Sequence, residues 1–122
     1  MTRRNLRIKR VYEPPDAADG TRILVDRLWP RGLSRERAKI DLWLKEIAPS
    51  DTLRRRRHRD PSAWGRFKTA YYSELAEPAA QSALNALVER LAHGPVTLLY
   101  AARDETHNNA VALREWLADR VG

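Results

Sequence analysis

No cysteine occurs anywhere in the 122 residues. That one absence removes disulfides, thiolate nucleophiles, iron–sulfur clusters and Cys-based zinc sites together, and it fits a reducing compartment. Glycine is scarce as well. The five present are too few and too scattered for a phosphate-cradling loop, and neither a Walker loop nor a GxGxxG string occurs. HExxH and GxSxG are missing too, as are helix-turn-helix, zinc-finger and RNA-recognition signatures. No apolar run approaches the roughly 18 residues that span a membrane. The basic start, Met1-Thr2-Arg3-Arg4-Asn5, is not followed by the apolar stretch of a secretory signal. The expectation is a soluble cytoplasmic protein with no membrane contact and no metal site. Neither a cofactor nor an oligomeric state is legible.

What is present belongs to a folded domain. Hydrophobic residues make up 43% and charged residues 32% of the chain, a globular rather than a disordered balance. Residues 1–122 suit a single domain, with 1–5 read as a flexible basic terminus. The net charge is +7, but it is unevenly spread. Five positive side chains lie in residues 3–10 (Arg3, Arg4, Arg7, Lys9, Arg10) and five in residues 54–59 (Arg54 to Arg57, and Arg59). The rest of the chain carries 13 basic and 16 acidic side chains. Two basic patches on a nearly neutral body attract phosphates of any origin. The competing reading is a solvated face in a chain that uses 19 Arg against 4 Lys.

Periodicity supplies the elements. Leu6 and Ile8 alternate with Arg7 and Lys9, the mark of a half-buried edge strand. Ile23-Leu24-Val25 and Val96-Thr97-Leu98-Leu99-Tyr100-Ala101 are continuous apolar runs, expected of strands covered on both faces. Leu42 and Leu44, alternating with Trp43 and Lys45, predict a third short strand. Ser34 can cap a helical turn, Ser50 or Asp51 a helix carrying the Arg run, and Asp60-Pro61 another. Trp64, Phe67, Tyr71 and Leu75 fall on one helical face. Pro78 opens a helix striped by Ala80, Leu84, Leu87, Val88 and Leu91, which His93-Gly94-Pro95 ends. Ala110, Leu113 and Leu117 mark a last helix. Strands separated by helices predict an α/β fold: a single three-layer domain with a small, mainly parallel central sheet flanked by helices.

In open parallel sheets ligands bind beyond the carboxyl ends of the strands. The second strand delivers Asp26, Arg27, Trp29 and Arg31 there, the third Lys45 and Glu46, and the last Arg103, Asp104, Glu105, His107 and Asn108. Arg27 and Arg31 can grip a phosphate or carboxylate. Asp26 or Asp104 can act as a base and His107 can shuttle a proton. Trp29 can stack on a planar ligand, and Lys45 and Asn108 complete the ligand-binding set. The structural alternative pairs Arg27 with Asp26 to fix the loop and uses Asp104 or Asn108 to cap the last helix. Residues 54–59 are expected to form an exposed helical surface that is not part of the pocket.

Three segments also resemble a known family. Leu24-Val25-Asp26-Arg27-Leu28-Trp29-Pro30-Arg31-Gly32, Lys39 to Ser50 and Gly94 to Ala102, with Asp104 to Asn109 beyond them, are similar to the YeaO-like family, domain of unknown function 488. The resemblance spans most of residues 6–118. It implies a small bacterial-type cytoplasmic α/β protein without an established activity. In the family's longer members it places a Cys after the last strand and a Cys-His-Arg in the next loop. Tyr100 and His107-Asn108-Asn109 stand at the matching places here, so thiol chemistry is excluded for this chain. Family members also tend to carry aromatic residues where this chain reads Arg54 to Arg59.

Two functional readings follow. The first is a pocket that binds, or binds and transforms, a small phosphate- or nucleotide-like anion at the strand ends. The alternative is a nucleic-acid-binding accessory protein that uses the basic patches 3–10 and 54–59.

Overall fold

The computed structural model describes residues 6–59 and 63–121, with the backbone alone for 56–59 and 121. Four strands, β1 (Leu6–Arg10), β2 (Thr21–Leu24), β3 (Leu42–Trp43) and β4 (Val96–Tyr100), form one sheet in the order β1-β4-β2-β3. Every neighbouring pair is parallel. The two continuous apolar runs are therefore the central strands, and the alternating segment lies at an edge, as predicted. Helices α1 (Arg35–Ala38), α2 (Asp51–Arg59), α3 (Trp64–Leu75), α4 (Pro78–His93) and α5 (Asn109–Val121) follow in chain order. The helix start expected at Asp60-Pro61 and the flexible terminus expected at 1–5 lie outside the described residues.

Strand alternation sorts the core into two unequal layers. Val96, Leu98, Tyr100, Ile23 and Val25 face one side and pack with Leu53, Phe67, Tyr71, Leu75, Leu87 and Leu113 from the long helices. Leu24, Leu99 and Val11 face the other side, where Trp29, Leu33, Ile40, Trp43 and Ala101 pack against them among the described residues. The second layer is thus a thin cover drawn from the loops flanking α1, from β3 and from the residue after β4. At its amino end lies a buried ion pair. Asp19 and Arg22, both 4% exposed, are joined there by Lys9 at 3.1 Å. Arg22 also donates to the Ala38 and Lys39 carbonyls, tying α1 to the sheet. Burial alone would push the Asp19 carboxyl up, but the Asp16 amide, Lys9 and Arg22 together bring it below its ordinary value.

Local signals behave as their chemistry requires. Ser34 accepts from the Arg37 amide and caps α1, and the Ser50 hydroxyl accepts from Leu53 at the start of α2. Pro78 occupies the first turn of α4, and Gly94 ends it. Gly20 has φ +65°, and a Cβ there would overlap the Pro95 carbonyl, so glycine is required where β2 starts beside β4. None of the described helices is long and apolar enough to cross a membrane.

Candidate functional site

The carboxyl ends of β2 and β4 are joined by one side chain. Asp26, two residues past β2, accepts the Ala101 amide on Oδ2 at 2.9 Å and the Asn109 side-chain amide on Oδ1 at 3.0 Å. Asn109 is the first residue of α5, and the same Nδ2 also donates to the Val25 carbonyl. Burial raises the Asp26 carboxyl above its ordinary value, opposed by the hydrogen bonds from Asn109 and Ala101 and by the charge of Arg54.

Beside Asp26 a pocket of about 300 Å³ opens to the surface. Its apolar wall is built from Tyr12, Leu28, Trp29, Pro30, Pro49 and Phe67, and its polar groups are Asp26, Arg27, Arg31, Arg54 and Asn109. Three arginines and one aspartate thus share the lining. The backbone around the opening is braced by side chains. Arg10 donates to the Ala101 and Ala102 carbonyls, and Trp43 Nε1 donates to the Asp26 carbonyl at 2.7 Å. Tyr12 donates to the Arg31 carbonyl, and Trp29 Nε1 to Leu33. Trp29 and Trp43 meet edge to face at 5.4 Å.

The residues singled out from sequence divide into two groups. Asp26, Arg27, Trp29 and Arg31 line the pocket. Arg27 makes no bond to Asp26; its Nε and Nη2 donate to the Pro49 and Ala48 carbonyls at 3.1 and 3.3 Å, holding the segment before α2. Arg31 is exposed at the mouth. Lys45, Asp104, His107 and Asn108 are not part of the lining. The Lys45 ammonium lies 4.4 Å from the centre of the Trp43 ring. Asp104 organises its own loop by accepting from the Thr106 and His107 amides, and these bonds hold its carboxyl down at about 2. His107 packs edge-on against Trp64. Asn108 is fully buried and caps α5, accepting from Val111 while donating to the Asp104 carbonyl.

One expectation is corrected. Arg54 was read with residues 55–59 as exposed surface, but it is half-buried and lines the pocket. Its Nε is buried and has no hydrogen-bond partner among the described residues, while Nη2 reaches Asp51 at 3.4 Å. The physical reason is helical geometry. Each residue turns about 100° around the axis, so a run of arginines on α2 cannot keep every member on one face. Arg55 is exposed, and the side chains of residues 56–59 lie outside the described set. Tyr12, Asn109 and Pro49 were also missed. Only the adjacency of Asn109 to the helix cap hinted that a side chain there turns back toward the strand ends.

With the geometry in view, the comparisons are decisive about kinship. A family model described as the inactive DUF488-N3 subclade matches residues 5–122. The chain belongs to that family. It is similar to the uncharacterized protein YeaO of Escherichia coli K12, at 42% identity over 113 residues, covering 93% of this chain and 96% of that one. It is also similar to the uncharacterized protein Rv3073c of Mycobacterium tuberculosis H37Rv, at 37% identity over 115 residues, 94% of this chain and 95% of that one. No solved structure gives a significant match. The YeaO-like, DUF488 resemblance read from the sequence is borne out, and with it the uncharacterised standing of these relatives. Within this DUF488-N3 chain, no group of three or more His, Asp or Glu among the described residues could hold a metal ion.

Proposed function

We propose that the protein binds a small phosphate-bearing anion in the pocket beyond β2 and β4 and does not transform it. The observation that carries this reading is the gathering of Arg27, Arg31 and Arg54 in one pocket lining beside Asp26, with the buried Arg54 Nε left without a hydrogen-bond partner among the described residues. Leaving a buried donor unpaired costs about 1–3 kcal/mol, more when the group is charged, so a site that keeps one calls for an acceptor. Arg31 at the mouth and Arg27 behind add positive charge, and a phosphate oxygen is the acceptor best suited to several guanidinium groups. The braced backbone lowers the ordering cost of binding. Two facts favour binding over turnover. The family is described as inactive, and of the acid–base candidates Asp26, Asp104 and His107 only Asp26 lines the pocket.

The nucleic-acid alternative draws less support. Lys9 is bonded to Asp19 and the Pro14 carbonyl, Arg10 to Ala101 and Ala102, and Arg54 lines the pocket. Arg7 also donates to the Ala18 carbonyl, so four of the five patch cations whose side chains are described are turned to internal use.

Calorimetric titration with inorganic phosphate and with ribose 5-phosphate tests the proposal, using Arg54→Gln and Arg55→Gln as a matched pair. Both variants remove one charge from α2, but Arg55 is not part of the pocket lining. Loss of a charge-assisted contact predicts weakening by about tenfold or more for Arg54→Gln, with Arg55→Gln close to wild type. Equal weakening in the two variants would reduce the effect to diffuse attraction and contradict a built site.

A further inference from the structure

The pocket's composition narrows the ligand beyond its charge. A bare phosphate would use the guanidinium groups and leave the rest of the site idle. Most of the lining is apolar, with Leu28, Trp29, Pro30 and Phe67 among it, which suits a planar ring rather than a sugar or an inorganic ion. Asp26 sets the polarity of that ring. Its two oxygens accept one hydrogen bond each from Ala101 and Asn109. An ionised carboxylate has about four acceptor positions, so each oxygen keeps one for a ligand. Asp26 offers only acceptors, and it lines the same pocket as Arg54. The complement is a ring edge with two adjacent N–H donors. A ring edge that places an acceptor nitrogen opposite the carboxylate is repelled. The volume of about 300 Å³ lies at the small end of ligand clefts, which run to roughly 1,000 Å³, so one nucleotide is the natural size.

We propose that the ligand is a purine nucleoside monophosphate of the guanine type, with its phosphate at Arg54 and Arg31 and its N1–H and 2-amino edge on Asp26. This assignment rests on the anion-binding reading above. Guanine presents two neighbouring donors on that edge, whereas adenine presents one donor beside an acceptor.

The test compares GMP, AMP and ribose 5-phosphate on the intact wild-type protein by calorimetry. Two additional charge-assisted bonds should make GMP bind at least about tenfold tighter than ribose 5-phosphate, with AMP no tighter than the sugar phosphate. Asp26→Asn, checked for folding by its thermal transition, should erase the GMP preference, bringing GMP to the affinity of ribose 5-phosphate measured on the same variant. The wild-type comparison decides the matter if that variant does not fold. Binding of all three ligands with equal affinity would overturn the ring assignment and leave the anion reading standing. A GMP preference that survives in folded Asp26→Asn would also overturn the assignment. Binding of none of them would defeat both readings together.

Discussion

Replacing Arg27 by Ala separates holding the pocket together from holding its ligand. The Arg27 guanidinium donates to the Pro49 carbonyl at 3.1 Å and the Ala48 carbonyl at 3.3 Å. Both residues are buried, so truncation strands two acceptors. An unsatisfied buried acceptor costs about 1–3 kcal/mol, and water entering from the pocket can recover part of it, so a net loss of about 2–4 kcal/mol is expected. For a chain of this size each kcal/mol moves the melting temperature by about 3–5 °C, so the transition should fall by about 6–20 °C. Arg27→Lys keeps the charge and one reachable carbonyl but not the fork, and should restore only part of that loss. Differential scanning calorimetry at neutral pH measures both variants. A melting temperature for Arg27→Ala within about 2 °C of wild type would mean that the two bonds contribute almost nothing and that Arg27 does not hold this segment.

Four further expectations follow from the same structure. Gly20→Ala should cost more than about 4 kcal/mol or abolish soluble expression, because the new Cβ overlaps the Pro95 carbonyl. Gly32→Ala, at φ +79° with open space around it, should cost only about 1–2 kcal/mol by denaturant unfolding. Asn108→Ala should destabilise by about 1–3 kcal/mol, since the side chain both caps α5 and anchors the Asp104 loop; hydrogen exchange should accelerate first at the start of α5. The carboxyl carbons of Asp104 and Asp26 should titrate in opposite directions from 3.8, Asp104 near 2 and Asp26 above 3.8. With a lowered folded value, Asp104 stabilises fully above its unfolded value and loses that contribution as pH falls toward 2. With a raised folded value, Asp26 opposes folding increasingly as pH rises through 3.8 and beyond. Two-dimensional carbon-detected titration reads both groups, and shifts in the same direction would contradict either the dominance of burial over hydrogen bonding at Asp26 or the dominance of hydrogen bonding at Asp104.

The sheet was legible because its signals are local. Ile23 to Val25 and Val96 to Ala101 are apolar on both faces, and only central strands need that. The alternation at Leu6 and Ile8 carries the opposite message. Asp26 was legible by the same logic, as the first polar residue after a buried strand. The buried pair of Asp19 and Arg22 was not, since nothing in a short charged segment says that both charges turn inward. Arg54 was misplaced for a related reason. Six residues rich in arginine look uniformly solvated, yet the direction of one side chain depends on where α2 sits, and Arg27 fixes that through Ala48 and Pro49. Asp104 and His107 stand at the expected strand end. Their loop satisfies its own hydrogen bonds and lies off the pocket, a tertiary outcome that spacing does not encode.

The decisive interaction is an anion held against Arg54 in the pocket, and the Arg54 Nε–H signal reports on it. In a nitrogen–proton correlation spectrum of the wild-type protein titrated with ribose 5-phosphate, the Arg54 Nε–H resonance should shift and saturate. The backbone amides of Ala101, Ala102 and Asn109, which border the same pocket, should follow with the same affinity. A resonance for Arg54 Nε–H that stays in place while exposed arginine signals drift without saturation would contradict the account.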